Sequence, residues 1–158
     1  MPTLDLKIFI AAPTERCFDL ATSIDLHRMS TAGTAEEAIA GVTSGLIKSG
    51  EQVTWRARHF GIRQTFTSRI TLYERPFMFR DEMMQGAFKS FKHDHTFDRV
   101  GDHCLMRDVL TFESPGGVIG QMVNRLILTN YLRDFLLKRN EMIKNFAEGE
   151  QWKTILKD

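Results

Sequence analysis

The sequence predicts an α+β fold: a seven-stranded antiparallel sheet, in the order β-α-α-β6-α, wrapped around a long C-terminal helix. Three observations carry this. Residues 3–10 alternate between apolar and other side chains. Residues 35–114 keep a period of two, broken only by short turns. After Ser114-Pro115-Gly116-Gly117 the period becomes helical and stays so over about 30 residues, with charged side chains filling the gaps. A twisted antiparallel sheet with one apolar face must cover that face, and this helix is the only element long enough to do so.

In chain order, Leu4, Leu6, Ile8 and Ile10 put one face of the first strand inside. Pro13 suits the opening of a short helix carrying Cys17, Phe18, Leu20 and Ala21. Ser23 or Asp25 would cap a second helix that runs to about Met29. Strands follow at 36–43, 51–60, 62–73, 76–85, 90–99 and 102–113. Their turns are Phe60-Gly61, Glu74-Arg75 before Pro76, Gly86-Ala87-Phe88 and Val100-Gly101. The stretch Gly41–Gly50, with three glycines besides irregular spacing, is expected to be a mobile loop and a candidate gate. The final helix draws on Val118, Ile119, Met122, Val123, Leu126, Ile127, Tyr131, Leu132, Phe135, Leu136, Ile143 and Phe146. No linker or repeat divides the chain, so 1–158 is read as one domain.

Charge and composition exclude several function classes. Lys and Arg number 21 against 20 acidic residues, which does not suit a dedicated nucleic-acid binder or a polybasic membrane anchor. A 42% hydrophobic and 26% charged chain is not disordered. The start, MPTLDLKIFI, lacks the basic and uninterrupted apolar regions of a signal peptide. Cys17 and Cys104 form no CxxC motif and read as buried free thiols, so a cytoplasmic protein is expected. The 12 Phe and 8 Met suit either a large core or an apolar cavity.

Turn lengths set register. Two-residue turns place Trp55 opposite Phe66, Ala57 opposite Gln64 and His59 opposite Ile62. They likewise place Ser68 opposite Asp81, Ile70 opposite Phe79 and Leu72 opposite Phe77. In the last hairpin, Phe91 falls opposite Leu110, His93 opposite Asp108, His95 opposite Met106 and Phe97 opposite Cys104. A three-residue loop at 86–88 would pair Asp81 with His93 and Phe79 with His95. One inner polar row then reads Ser68, Asp81, His93, Asp108, with His95 beside it and His59 toward the sheet's corner. On the outer face Asp94 falls opposite Arg107, and Arg56, Arg58, Arg63, Arg69 and Arg80 alternate outward. His27 and His103 are expected to be exposed.

The segments GEQVTWRARHFGIRQTFTSRI, PFMFRDEM, FKSFKHDHTF and MRDVLTFESPGG, in this element order, resemble the START/SRPBCC superfamily over essentially residues 3–147. That superfamily includes lipid-transfer domains, polyketide cyclases and aromatases, and pollen-allergen-like proteins. The chain looks most like a bacterial ligand-binding subgroup sometimes labelled cell-division inhibitors. The resemblance implies a helix-grip fold, a cavity for a hydrophobic ligand, no cofactor and no shared catalytic set.

The cavity candidates are Trp55, Phe66, Ile70, Phe79, Met83, Phe91, Phe97, Met106, Leu110 and Phe112 from the sheet, and Met122, Leu126 and Tyr131 from the helix. His59, Ser68, Asp81, His93, His95 and Asp108 supply polarity. The row admits three roles: a satisfied network, the polar end of a ligand cavity, or acid–base groups, with His93, Asp81 and Asp108 as catalytic candidates. His93-x-His95 also has metal-pair spacing, with Asp81, Asp108 or His59 as third ligand, but HxH on a strand is weak evidence and no metal is expected. The preferred reading is a binding module for a lipid, isoprenoid or polyketide-like molecule. The alternatives are a cyclase or aromatase using His93 and Asp81, and a regulatory interaction protein with a filled cavity. A monomer or weak homodimer is expected, with no nucleic-acid partner and no stable membrane anchoring.

Overall fold

The computed structural model describes residues 2–59, 61–114 and 127–156. Its elements are β1 (Thr3–Ile10), α1 (Thr14–Ala21), α2 (Ile24–Ser30), β2 (Glu37–Gly41), β3 (Gln52–His59), β4 (Ile62–Glu74), β5 (Met78–Gln85), β6 (Ser90–Val100), β7 (His103–Glu113), α3 (Thr129–Glu148) and a short α4 (Trp152–Ile155). The seven strands form one sheet in the order β1-β7-β6-β5-β4-β3-β2. Every neighbouring pair is antiparallel, as the alternation predicts.

Local chemistry accounts for the helix starts. Pro13 stands just before α1 in extended conformation. Ser23, not Asp25, caps α2: its Oγ accepts the Leu26 N–H at 3.1 Å. Asp25 instead accepts the Gly45 N–H at 2.9 Å. That bond is one of several that tie down the glycine-rich stretch. Val42, Ile47 and Gly50 donate to Gln52, Thr22 and Ile70 at 2.9, 3.0 and 2.9 Å, and Ile24 donates back to Gly45 at 2.9 Å. Ile47 is buried among them. The segment is therefore a bonded strap rather than the loose loop expected. At Gly41 (φ +73°) a Cβ would sit 2.1 Å from the Gln52 carbonyl oxygen, so only glycine fits there.

Two registers match the turn-length expectation and two depart from it. Between β3 and β4, Trp55 faces Phe66 and His59 faces Ile62. Between β5 and β6, Asp81 faces His93 and Phe79 faces His95. In the β6–β7 hairpin the turn is Gly101-Asp102, with Gly101 at φ +61° and Val100 paired to His103. Each partner moves by two: Phe97 faces Met106, His95 faces Asp108, His93 faces Leu110 and Phe91 faces Phe112. An even shift keeps every side chain on its expected face, which is why alternation alone did not reveal it.

The β4–β5 turn takes in Arg75, Pro76 and Phe77, and the Phe77 N–H closes it on the Glu74 carbonyl at 2.7 Å. Bulges lie between Ile70 and Leu72 and between Thr67 and Ser68. Tyr73 thereby faces Phe79, Ile70 faces Asp81 and Ser68 faces Met83. Leu72 and Phe77, expected inside, are 41% and 50% exposed. Outside, Arg80 pairs with Asp94 at 2.5 Å, while Arg107 pairs with Asp5 on β1 instead of with Asp94. His103 is exposed, as expected.

The core has two parts. Phe18 of α1 is fully buried edge-on to Tyr73, Phe79 and Phe97, with centroids 5.3, 5.4 and 5.2 Å away. The buried free thiols of Cys17 and Cys104 belong to the same cluster. A second cluster joins Leu4, Leu110 and Phe112 to Leu132 and Leu136 of α3. Val118, Ile119, Met122, Val123 and Leu126, assigned to the helix from sequence, lie outside the described residues. Among the described residues no helix is long and apolar enough to cross a membrane. Since Phe18 is the contact between α1 and three strands, Phe18→Ala should destabilise the fold by about 3–5 kcal/mol. Urea denaturation checks this, with a lower midpoint at an unchanged slope as the expected result.

Candidate functional site

Between the sheet and α3 lies a cavity of about 180 Å³. Its apolar wall takes Trp55 and Ala57 from β3, Phe66 and Ile70 from β4, Phe79 from β5, Phe91 from β6 and Leu110 from β7. Leu132, Phe135 and Leu136 of α3 face them. Pairing between β5 and β6 ends at Glu82 and Lys92, and Ala87 and Phe88 line the cavity where those strands part.

The deep end is charged. Asp108 has no exposed surface and accepts from His93 Nε2 at 2.7 Å and from Asn140 Nδ2 at 2.7 Å. Arg139 Nη2 lies 3.4 Å from the same carboxylate and 3.3 Å from His95 Nδ1. His95 Nε2 is bonded to Asp81 Oδ2 at 2.6 Å. The His93 and His95 rings stack at 3.7 Å, and Phe79 stacks on His95 at 4.1 Å. Among the described residues the Nε of Arg139 is buried without a partner, and Arg139 is part of the cavity wall.

Burial and neighbours push these groups apart. Burial disfavours the charge on Asp108, but Arg139 and the two imidazoles outweigh it and hold the carboxyl well below its ordinary range. Asp81 behaves alike, with burial opposing and His95 prevailing. His93 is pushed down by burial and by the charge of His95, so it is held neutral. His95 also meets a burial penalty, but hydrogen bonds to Asp108 and Asp81 raise it and favour the imidazolium. The result is a neutral imidazole on Asp108 and a charged one held between Asp81 and Asp108, with His95 Nδ1 3.2 Å from the Asp108 carboxylate.

A second polar group lines the same cavity near β2 and β3. His27 Nε2 bonds Glu36 Oε2 at 3.1 Å, and His59 Nδ1 bonds the Tyr131 hydroxyl. Burial opposes the charge on Glu36, yet the bond to His27 prevails and keeps it ionised. Burial pushes His59 down and Tyr131 up, so both are neutral.

Trp55, His59, Phe66, Ser68, Ile70, Phe79, Asp81, Phe91, His93, His95, Leu110 and Tyr131 all face the cavity. Phe97, Met106 and Phe112 instead fill the closed core with no exposed surface. Met83 and Asp108 also stand outside the lining, Asp108 beneath the two histidines. Ser68 is buried opposite Met83 rather than in a row with Asp81. Met122 and Leu126 lie outside the described residues. His27, expected to be exposed, packs 4.5 Å from Trp55 in the wall.

Arg139, Asn140 and Glu36 escaped the sequence reading. The two helix residues left a signal. Leu132, Leu136 and Ile143 form one buried stripe, and positions 139 and 140 fall within it at helical spacing. A polar pair on an apolar stripe marks a buried network.

Asp81, His93 and His95 each offer a ligand atom within 4.8 Å of the others. Stacked imidazoles, however, direct their in-plane lone pairs side by side rather than toward one ion, and each Nε2 already meets a carboxylate. The donor set fits a hydrogen-bonded network better than a metal centre.

TTHA0849 from Thermus thermophilus superposes with a TM-score of 0.74 at 16% identity, covering 92% of this chain and 97% of that one. A START superfamily protein from Mycobacterium smegmatis gives 0.69 at 15% identity, covering 90% and 97%. Major latex-like protein 151 from Panax ginseng gives 0.68 at 18% identity, covering 94% and 98%. These likenesses define the class: a START-like helix-grip fold, as the sequence resemblance implies. No family model matches the chain, and no curated protein matches it in sequence.

The opposed histidines predict a stability optimum. His93 has a lowered folded pKa, so its folded state takes up a proton reluctantly, and stability falls as pH drops below the unfolded value of about 6.5 toward that lowered value. His95 has a raised one, so its stabilisation is full below about 6.5 and is lost as pH rises toward its folded value. Thermal or urea denaturation against pH should therefore peak near 6.5, with His93→Gln reducing the acid limb, to which the lowered His59 also contributes, and His95→Gln flattening the alkaline limb.

Proposed function

We propose that the protein is a non-enzymatic binding module that holds a small apolar molecule between the sheet and α3. One polar group of the ligand turns to the deep end, against His93, His95 and Arg139. The observation that carries this is the cavity itself, with aromatic walls that lead to an arginine whose Nε has no partner. Apolar burial supplies affinity, about 0.8 kcal/mol per buried CH₂, while the polar end fixes orientation. The named neighbours support the reading through shared fold alone.

Chemistry at the same groups is less well supported. Asp81 and Asp108 are held as carboxylates within ion pairs and are poor proton donors. The remaining donor is the His95 imidazolium, buried and held by both carboxylates, and the neutral base beside it is His93, with its Nε2 bonded to Asp108. The cavity likewise favours a ligand over an interaction protein filled by its own side chains. Two buried free thiols suit a reducing compartment, and a cytoplasmic location belongs to this reading.

The test is retention of apolar ligands by native mass spectrometry, together with displacement of a fluorescent fatty acid. Ala57 is a small buried residue of the cavity wall. Ala57→Trp should fill the space and weaken binding by about tenfold or more, a loss of about 1.4 kcal/mol or more. Its far-UV circular dichroism should stay unchanged. A wild-type protein that retains no apolar molecule would end the proposal.

A further inference from the structure

The cavity has a second polar end that the reading above leaves unused. Glu36 lies in the cavity wall, bonded to His27, and His59 and Tyr131 bond each other beside it. This end is far from Arg139. Tyr131 and Arg139 are eight residues apart on α3, roughly 12 Å along the axis. His59 and His93 stand on β3 and β6, three strand spacings apart, roughly 14 Å across an uncurved sheet. The wall between them is mostly apolar, with Trp55, Ile70 and Leu136 among its residues beside Ser68.

The two ends also differ in what they offer. At the deep end both carboxylates already accept from imidazoles; of the two atoms there without a partner among the described residues, Asn140 Oδ1 belongs to a residue outside the cavity lining, and Arg139 Nε, a donor, belongs to a residue within it. At the other end the charged group is an acceptor: the Glu36 carboxylate takes a bond from His27 and has room for more. A ligand with one polar group satisfies only one of these.

Building on the binding reading, we infer that the cavity takes a two-ended molecule, an apolar body carrying a hydrogen-bond acceptor for Arg139 at one end and a hydroxyl donor for Glu36 at the other. The deep end is nearly neutral overall, with Asp81 and Asp108 set against His95 and Arg139, so a carbonyl or hydroxyl suits it better than a carboxylate. The ligand class is therefore uncharged and bifunctional, such as a long-chain hydroxy-ketone or diol.

The experiment is displacement of anilinonaphthalene sulfonate from the full chain by decanediol and by decanol. A plainly apolar cavity prefers decanol, because a buried hydroxyl without a partner loses its water. The two-ended site reverses that order: decanediol should displace the dye at about tenfold lower concentration, the worth of a hydrogen bond to a charged group. In Glu36→Ala the preference for decanediol over decanol should vanish, with unchanged far-UV circular dichroism reporting an intact fold. Equal or tighter binding of decanol by the wild type overturns the inference and leaves the binding reading standing. Failure of both alcohols to displace the dye overturns the binding reading itself.

Discussion

A carboxylate without exposed surface holds this structure to one arrangement. Asp108 is ionised inside the protein, which is tolerable only when every neighbour supplies a donor or a positive charge. Those neighbours come from two layers: His93 and His95 from β6, and Arg139 and Asn140 from α3. Apolar packing would let the helix slide or rotate over the sheet at modest cost. The bonds to Asp108 fix its height and rotation together. The same contacts set which side chains of α3 face the cavity.

Function follows from what this network leaves over. Most of its polar atoms are satisfied internally, so it forms a fixed polar floor to the cavity. Among the described residues Arg139 Nε and Asn140 Oδ1 are left without a partner, and Arg139 lines the cavity. Aromatic rings wall the space above. The proposed binding of an apolar molecule rests on this combination of an aromatic wall and a fixed polar floor.

The sheet was legible in the sequence because its face alternation survives register errors. The β6–β7 turn lies one residue beyond its expected place, yet a shift of two leaves His93, His95 and Asp108 on the inner face. What alternation cannot specify is which inward residues touch one another. The expected row of Ser68, Asp81, His93 and Asp108 became one network, with His93 on Asp108 and His95 between Asp81 and Asp108. Bulges in β4–β5 carried no sequence signal, so the outward turn of Leu72 was not legible either. Arg139 was visible only as a polar residue on an apolar stripe, since its meaning depends on a strand about thirty residues earlier in the chain. Alternation also could not separate wall from core: Phe79 lines the cavity while Phe97, two positions along from its partner His95, is sealed beneath α1.

The central claim is that the charged floor and the apolar wall act on the same bound molecule. Nuclear magnetic resonance during titration with an uncharged long-chain ketone tests it most directly, following the His93 and His95 imidazoles together with the Trp55 indole. The account predicts that all three respond with one common dissociation constant, because Trp55 and both histidines line one cavity. A response confined to Trp55, with both imidazoles unmoved at saturation, would contradict it.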